Sequence, residues 1–543
     1  IRTLTRYLLV SVSILLVLSF VGLAQNNSEE TTLRTQVMAH CGGPGWHAHG
    51  WYVGKPCATL KEPVYETLVK QRFSREDGSW SLVPGLAKEW NHSEDYGTWT
   101  FELREDATWH DGEKFTAEDV KFTMDMYLHP DAMGVYGPPV ANPLEGYDAY
   151  KNGEAGTIKG VEVVDEYTVK FNLAKPRPTY DKNLRFIPIV PAHRFEGMKM
   201  SEVPSSDKWK TPVGTGSFKF VRNVPEEFTV LEKFEDYYMG EPKINRWVAY
   251  YNNSPESKLS RLKKGEVDAT RFAGRTVTPG MAEQINSLEN YNVWIDDTYL
   301  VGIFALQPQN ESLNNIKARR AIMHAIDRDT LKQILPFVKL HSVMGVGQYQ
   351  SDTVRAYEYN PEKAKELLED AGWSQKKPLI LGTNYQGSGV RKALVAIAGM
   401  LEEVGVQVEV RQVDTPTWVQ DWQKTGDEDL TFNALLLQPP LAGWTEWVTQ
   451  DNLYPQGPNP GYYLPEIDAL ADRASSLPPG KEKRSVVEAA QLVMNEKAWI
   501  VPLFLRSEGF VLSKRVDTGS GSFANHGIHI GRDWRFYDWS IQE

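Results

Sequence analysis

Apolar and polar residues alternate strictly at the start of the stretch from 99 to 126. Trp99, Phe101 and Leu103 share one face, and polar side chains occupy the other. A period of two residues predicts a strand with one buried face. The polar segment 109–112, with the sequence WHDG, ends this pattern and predicts a turn.

The same stretch then changes to a helical pattern. Thr116 stands at a predicted N-cap, and Asp119 follows three residues later, where a carboxylate meets free backbone N–H groups and the positive end of the helix dipole. Val120, Met124 and Tyr127 recur on one helical face. The stretch is therefore predicted to form a strand, a turn and a helix.

Strand and helix patterns also alternate elsewhere. Residues 33–38 predict a first strand, 379–381 a short apolar strand, and 406–410 an alternating strand. The segment 360–372 predicts a helix that begins at an Asn-Pro pair and ends at a glycine. Another predicted helix ends before Gly405, and its apolar face consists of Leu394, Ile397, Leu401 and Val404. This alternation indicates an α/β protein.

The amino-acid sequence of residues 99–126 closely resembles the signature segment of the family 5 extracellular solute-binding proteins. These are the receptors of peptide, nickel and oligosaccharide ABC importers. Further matching segments occur in the family's order, at 62–68, 83–90, 213–219, 262–268, 318–328 and 359–373. The resemblance spans roughly residues 62 to 505, and its strength lies in the ordered set rather than in any single segment.

This resemblance implies the two-lobed periplasmic-binding-protein fold, in which the second lobe is inserted into the first and two chain crossings join them. The matched segments put the crossings near 299–306 and 500–505. The expected divisions are lobe I at 33–299, with an extra subdomain at about 72–209, lobe II at 300–505, and a lobe I return at 506–543.

The N-terminal residues predict an export signal at 1–24. Arg2 and Arg6 precede a mostly apolar run over about 7–18, and small residues at 22–24 suit a cleavage site. The alternative is a membrane anchor, but the apolar run is shorter than the roughly 20 residues that a span needs. We therefore expect a secreted protein, located in the periplasm or outside the cell.

Composition narrows the class of partner. The chain of 543 residues has a formal charge of −12 at pH 7, which argues against nucleic acid or an anionic membrane as the main partner. Its length implies at least two domains. Cys41 and Cys57 are the only two cysteines, and in an exported chain such a pair favours a disulfide. A monomer is expected.

The sequence contains no catalytic motif on which an enzyme could be argued. It has no Gly-x-Ser-x-Gly elbow, no phosphate-binding loop that ends in Gly-Lys-Ser/Thr, and no His-Glu-x-x-His. The glycine-rich segment 214–216 lacks the following Lys-Ser/Thr and predicts a structural turn. We expect no catalytic residue and no cofactor, and we expect the lobes to close on a bound ligand without turnover.

A loop rich in glycine, histidine and tryptophan over 40–51 follows the first predicted strand. The family places a loop at the mouth of the cleft here, so Trp46 and Trp51 are candidate ligand-binding residues. The loop has two other interpretations. It is either a cover of lobe I pinned by the disulfide, or a metal site formed by His40, His47 and His49. Its glycines make the metal site the least favoured of the three, and we assign no metal ligand.

The segment 438–447, with the sequence QPPLAGWTEW, is a second candidate. In dipeptide and oligopeptide receptors of the family, the matching stretch carries an Asp-Pro whose carboxylate holds the ligand's ammonium group. Here Gln438 stands before the prolines. Glu446 is a possible replacement, and Trp444 and Trp447 either bind ligand or pack within lobe II.

Aromatic side chains are abundant, with 17 tryptophans and 24 tyrosines. Flat aromatic faces bind sugar rings and large apolar side chains. Many of these residues, however, stand in signature positions where core packing is expected. Tyr385 follows the predicted strand at 379–381 and is either a cleft residue or part of a surface loop.

The expected function is capture of a peptide-like solute in an interlobe cleft and its delivery to the permease subunits of an ABC importer. An oligosaccharide receptor is the main alternative, and a metal-chelate receptor is the third. A periplasmic enzyme or chaperone on the same scaffold is the alternative from a different class.

Overall fold

The structure is a computed structural model. It describes residues 31–37, 62–73, 80–129, 140–225, 227–251, 254–273, 279–306, 310–335, 337–339, 351, 354, 357–385, 388–418, 421, 427–436, 465–519 and 535–542.

Nineteen strands occur in these ranges. They are β1 (Thr32–Val37), β2 (Val69–Phe73), β3 (Trp80–Pro84), β4 (Ala87–His92), β5 (Thr98–Leu103), β6 (Val161–Asp165), β7 (Thr168–Asn172), β8 (Phe218–Val224), β9 (Phe228–Lys233), β10 (Arg246–Tyr251), β11 (Ala269–Ala273), β12 (Tyr291–Leu306), β13 (Phe337–Lys339), β14 (Leu379–Thr383), β15 (Val408–Gln412), β16 (Leu430–Leu436), β17 (Ile500–Ser513), β18 (Val516–Asp517) and β19 (Ser540–Ile541).

The α-helices of the same ranges are α1 (Ala117–Tyr127), α2 (Tyr147–Lys151), α3 (Tyr180–Leu184), α4 (Pro255–Lys263), α5 (Pro279–Asn286), α6 (Ile316–Ala325), α7 (Arg328–Ile334), α8 (Pro361–Asp370), α9 (Ser388–Glu403), α10 (Thr415–Trp418), α11 (Pro465–Ser476) and α12 (Lys481–Lys497). Short 3₁₀ helices occur at Ala192–Phe195, Met200–Ser205, Asp207–Lys210, Glu311–Leu313 and Phe536–Asp538.

The elements predicted from hydrophobic periodicity are confirmed. In β5 the side chains at 99, 101 and 103 are buried and those between them are half-buried. The Asp119 carboxylate accepts a hydrogen bond from the Thr116 backbone N–H at 2.9 Å, as expected at the start of α1. Helix α8 begins at Asn360, whose side chain accepts from the Lys363 N–H, and Gly372 follows the helix with φ +64°.

A large mixed sheet runs through the described part of the chain. Its strand order is β15-β14-β16-β12-β17-β11-β1-β10-β9-β8, and β13 pairs with β17 beside this path. A separate four-stranded sheet has the order β4-β5-β7-β6. Strands far apart in the sequence are neighbours in the large sheet. For example, β1 pairs in parallel with β10 and β11.

Two long antiparallel strands, β12 and β17, form a ribbon that joins the two halves of the large sheet. At one end of the ribbon, β17 also pairs with β11. At the other end, β12 pairs with β16 and β17 pairs with β13. These strands include the residues at which the family resemblance puts the two crossings.

Separate hydrophobic cores lie on either side of this ribbon. The first lobe, around β1 and β8–β11, packs Leu33, Phe218 and Trp247 in one core. The second lobe, around β13–β16, packs Leu381, Leu394 and Phe432 in another. The four-stranded sheet and α1 have their own core and form the subdomain. The predicted α/β fold with two lobes and an extra subdomain is thus confirmed.

The segment 63–68 of the first lobe is held on both sides by backbone hydrogen bonds. Gly216 N–H donates to the Val64 carbonyl at 2.9 Å, and Gly85 N–H donates to the Leu68 carbonyl at 3.1 Å. The close approach of the 214–216 turn to this segment requires glycine, since a Cβ at Gly214 would lie 1.8 Å from the Val64 carbonyl oxygen. The glycine-rich turn therefore has a structural role, as predicted.

His110 fastens the same turn to the subdomain. Its Nδ1 accepts from the Gly214 N–H at 3.2 Å, and its Nε2–H donates to the Gly216 carbonyl at 2.8 Å. Burial lowers the pKa of this imidazole to about 4, so the ring is neutral at pH 7. A neutral ring with one donor and one acceptor matches both backbone partners.

We expect Gly214→Ala to destabilise the protein by about 1–3 kcal/mol, because the new methyl group overlaps the Val64 carbonyl and the turn has to move. Chemical denaturation measures the free energy of unfolding. Gly399→Ala is the matched control, since a Cβ at this position in α9 meets nothing within 4 Å. The control should be neutral or stabilised by up to about 1 kcal/mol. Equal effects of the two substitutions would contradict the steric explanation.

Candidate functional site

The carboxyl ends of the parallel strands in the first lobe point toward the middle of the ribbon. Strands β1, β10 and β11 run in the same direction. At the end of β11, Ala273 is opposite Glu508 of β17, and Glu508 is in turn opposite Asp296 of β12. Hence these three strands end close to the point where the ribbon leaves the first lobe.

The strands of the second lobe approach the same point from the other side. Strands β14, β15 and β16 are parallel to one another, and β16 is antiparallel to β12. The last residue of β16, Leu436, is opposite Leu300. The carboxyl ends of both groups of strands therefore face each other across 297–300 of β12. In open α/β sheets, ligands bind in the crevice outside the carboxyl ends of the strands, and this cleft is the candidate site.

The structure places Tyr385 at this cleft edge, two residues beyond the end of β14. Its backbone N–H donates to Thr383 Oγ1 at 3.1 Å, and its carbonyl accepts from Gln412 Nε2 at 2.6 Å. Its half-buried ring meets Phe432 edge-on, with centroids 6.4 Å apart. Gln412 belongs to β15 and Phe432 to β16, the strands on either side of β14, so Tyr385 is anchored to the sheet at its carboxyl edge.

The other predicted site residues lie outside the described residues. They are Trp46, Trp51, Gln438, Trp444, Glu446 and Trp447, together with the cysteines Cys41 and Cys57 and the histidines His40, His47 and His49. Their places in the chain are nevertheless informative. The segment with the first two tryptophans follows the carboxyl end of β1, and the segment 438–447 follows the carboxyl end of β16.

Trp418 is a residue near this edge that the sequence analysis did not single out. Helix α10 follows β15 by two residues, and Trp418 Nε1 donates to Thr431 Oγ1 of β16 at 2.9 Å. Asp414 stands before the helix and accepts from the Thr417 N–H at 2.9 Å. The sequence signal was the capping residue Asp414, which marks a helix start directly after an alternating strand.

A buried carboxyl group, Glu428, lies behind this edge. The residue is fully buried, and neither carboxyl oxygen has a hydrogen-bond partner in the described part of the chain. The carboxyl packs against Gly382, where an added Cβ would lie 2.0 Å from Glu428 Cδ. Desolvation, and next the nearby Asp421, raise the pKa of Glu428 to about 8, while Arg411 opposes the shift. Glu428 is therefore largely protonated at pH 7.

A concavity of about 380 Å³ lies at the opposite end of the first-lobe strands. Glu66, Tyr237 and Phe536 are among its lining residues. Phe536 contacts Trp247, which is the second residue of β10, so the concavity lies near the amino ends of the strands. The Glu66 carboxylate accepts from Tyr237 and Tyr238 at 2.8 and 3.0 Å. These satisfied hydrogen bonds indicate a structural network rather than the binding cleft.

The described ranges also bear on metal binding and on membrane insertion. They contain no group of three or more His, Cys, Asp or Glu side chains arranged to hold a metal ion. None of their helices has both the length and the apolar character needed to cross a membrane.

Comparison with known families agrees with this architecture. The sequence model of the bacterial extracellular solute-binding proteins, family 5 Middle, matches residues 81–449. This match covers more than half of the chain, and the protein belongs to this family of solute-binding proteins.

Similar proteins carry related descriptions. A putative ABC transporter peptide-binding protein of Brucella ovis is 29% identical over 395 residues, which cover 71% of each chain. The periplasmic oligopeptide-binding protein OppA of Escherichia coli is 23% identical over 473 residues, which cover 83% of each chain. The structure of the oligopeptide-binding protein AppA of Bacillus subtilis, solved with a nonapeptide, aligns with a TM-score of 0.75 and 19% identity. That alignment covers 95% of this chain and 100% of AppA.

We expect Glu428→Gln to stabilise the protein increasingly as pH rises from about 4.5 to about 8. In the folded protein the carboxyl keeps its proton up to about pH 8, whereas in the unfolded chain it ionises near 4.5. The contribution of this carboxyl to the stability of the parent is therefore fully present below this window and is lost as pH rises through it. Glutamine does not ionise, so its advantage at pH 8 is on the order of 2–4 kcal/mol.

Chemical denaturation at pH 5 and pH 8 measures this difference. The control is Glu402→Gln, which changes an exposed carboxylate near the end of α9 and should give the same difference in stability between the two pH values as the parent. A Glu428→Gln effect of the same size at both pH values would show that the carboxyl does not titrate as described.

Proposed function

We propose that this protein is an exported receptor that captures a peptide-like solute in the interlobe cleft and delivers it to the permease of an ABC importer. The observation that carries the proposal is the meeting of the carboxyl edges of both lobes across the β12–β17 ribbon. The peptide-binding descriptions of the Brucella and E. coli relatives support the ligand class.

The divisions expected from the family resemblance are part of this proposal. Lobe I comprises 33–299 and 506–543, with its subdomain at about 72–209, and lobe II comprises 300–505. A signal at 1–24 directs export, and a Cys41–Cys57 disulfide forms in the exported monomer. The receptor binds its ligand without turnover, which is the ordinary activity of a solute-binding family.

The cleft holds its ligand mainly by aromatic stacking and neutral hydrogen bonds. Gln438 stands where peptide receptors of this family carry a cleft aspartate, so a ligand ammonium lacks that counter-ion, and an uncompensated buried charge is costly. The proposed contacts come from the segment after β1, from Tyr385, and from Trp444, Glu446 and Trp447. An oligosaccharide ligand is the second candidate, because flat aromatic side chains also stack on sugar rings.

Native mass spectrometry of protein purified without refolding tests the ligand class directly. A retained ligand with the mass of a peptide is the expected result, and an oligosaccharide mass would favour the second candidate. A thermal-shift screen of peptides and oligosaccharides provides the independent arm. Release of a hydrolysed product at a steady rate would overturn the receptor proposal in favour of an enzyme.

We expect Trp444→Ala to weaken ligand binding by about 1–3 kcal/mol, as for the loss of a buried aromatic contact, and Glu446→Gln to weaken it much less. Isothermal titration with a ligand found in the screen measures both. Trp373→Ala is the matched control. Trp373 contacts the second-lobe core, and it precedes β14, at the amino end of that strand rather than at the cleft edge.

The control should lower stability without changing affinity for the ligand. The opposite pattern, in which short free-amine peptides bind tightly and Glu446→Gln abolishes binding, would mean that Glu446 replaces the missing aspartate. The aromatic mode of binding would then be wrong.

A further inference from the structure

Arg177 of the subdomain stands on a rigid piece of backbone. It lies between Pro176 and Pro178, whose rings restrict the local dihedral angles. The Arg177 N–H donates to the Tyr96 carbonyl at 3.2 Å, and its carbonyl accepts from the Tyr180 N–H at 3.2 Å. Only 12% of its side chain is exposed in this arrangement, so the guanidinium is held in place by its surroundings.

Asp472 lies on helix α11, which is attached to the second lobe. Two ion pairs join α11 to the next helix, α12: Arg473 Nη2 to Glu482 Oε1 at 3.1 Å, and Lys497 Nζ to Glu466 Oε2 at 3.5 Å. Helix α12 is in turn bonded to the second lobe, because Arg319 Nε donates to the Lys497 carbonyl at 2.8 Å.

An ion pair joins these two units. Arg177 Nη2 lies 3.7 Å from Asp472 Oδ1, although the residues belong to the subdomain and the second lobe, which have separate cores. We propose that this pair is a latch that favours the lobe-closed state even without ligand. The proposal rests on the proposed function only in assuming that the lobes open and close about the ribbon.

The expected size of the effect is modest but measurable. The Asp472 side chain is 69% exposed, and ion pairs with such exposure contribute little to the stability of a folded protein. A two-state opening equilibrium, however, responds to small energies. Loss of the latch should reduce the ratio of closed to open molecules two- to fivefold, equivalent to about 0.4–1 kcal/mol at 1.4 kcal/mol per factor of ten.

Pulsed electron paramagnetic resonance on ligand-free protein measures this ratio. Spin labels at Val164→Cys in β6 and Val395→Cys in α9 report the distance between the units, and both parent side chains are exposed, at 44% and 55%. Cys41 and Cys57 are replaced by serine in the labelled protein. Small-angle scattering of unlabelled protein with its native cysteines is the second measurement, and it does not depend on that background.

Arg177→Gln and Asp472→Asn should each increase the open population and the radius of gyration. Combining them should add nothing further, since either substitution already removes the pair. Asp370→Asn is the control. It removes an exposed ion pair, Lys317 Nζ to Asp370 Oδ2 at 3.0 Å, that stays within the second lobe and does not hold α11, and it should leave both measurements unchanged.

Raising NaCl from 0.05 to 0.5 M should shift the parent toward the open state and leave Asp472→Asn unaffected, because salt screens an exposed pair. Distance distributions that are identical in the parent and both latch variants would overturn the proposal. So would a shift of equal size in Asp370→Asn.

These measurements are made without ligand, so they separate the two proposals. A latch effect in a protein that binds no peptide would leave the latch intact and refute the peptide receptor. Peptide binding by a protein whose variants open no further would refute the latch alone.

Discussion

The pairing of β12 with β17 is the interaction on which the rest of this architecture depends. The two strands belong to both halves of the large sheet, and every other strand of the sheet is added on one side of the ribbon or the other. Their antiparallel register fixes which ends of β11 and β16 come together. A slip of one residue in a strand pairing turns the side chains of the slipped strand to the opposite face of the sheet. The position of the cleft is thus a consequence of one strand pairing.

A second constraint holds the subdomain to the first lobe. The segment 63–68 passes so close to the turn at 214–216 that only glycine fits, and His110 bonds that turn on its other side. A backbone contact of this kind cannot adjust as flexible side chains do, since its atoms are already within hydrogen-bond distance. The segments 62–68, 109–112 and 213–219, whose sequences resemble the family, therefore meet at one structural junction. The proposed latch depends on the same rigidity, because Arg177 can hold the second lobe only if the subdomain moves as one body.

Local hydrophobic patterns predicted individual strands and helices, but they did not predict which distant segments pair in the fold. The periodicity of β5 and α1 sufficed because each buries one face. Tyr385 could be placed at a strand end because it follows a predicted strand, and its role in binding stays a prediction. The parallel pairing of β1 with β10 joins segments more than 200 residues apart, and no local pattern encodes it. In the sequence, Glu428 resembled an ordinary surface acid. Its burial depends on packing against Gly382, which is a neighbour only in the folded chain. Arg177 and Asp472 meet only in the folded chain, and neither sequence context signals the other.

The ribbon itself indicates where the lobes bend. Asp297 is paired with Ser507, and Val301 with Leu505. Three residues of β12, at 298–300, thus lie opposite the single residue 506, and regular pairing is interrupted there. The pairing shifts register a second time between Gly302 and Ile303. Interruptions of this kind bend a strand and leave backbone groups outside the ladder, so we expect a change of angle between the lobes to be absorbed at 298–303. Pairing continues on both sides of these interruptions, so a rotation there would keep the two carboxyl edges opposite each other. The proposed latch joins the subdomain to α11 and includes no residue of the ribbon. An ion pair placed outside both the hinge and the strand ends of the cleft affects the closed state without changing the residues that the ligand meets.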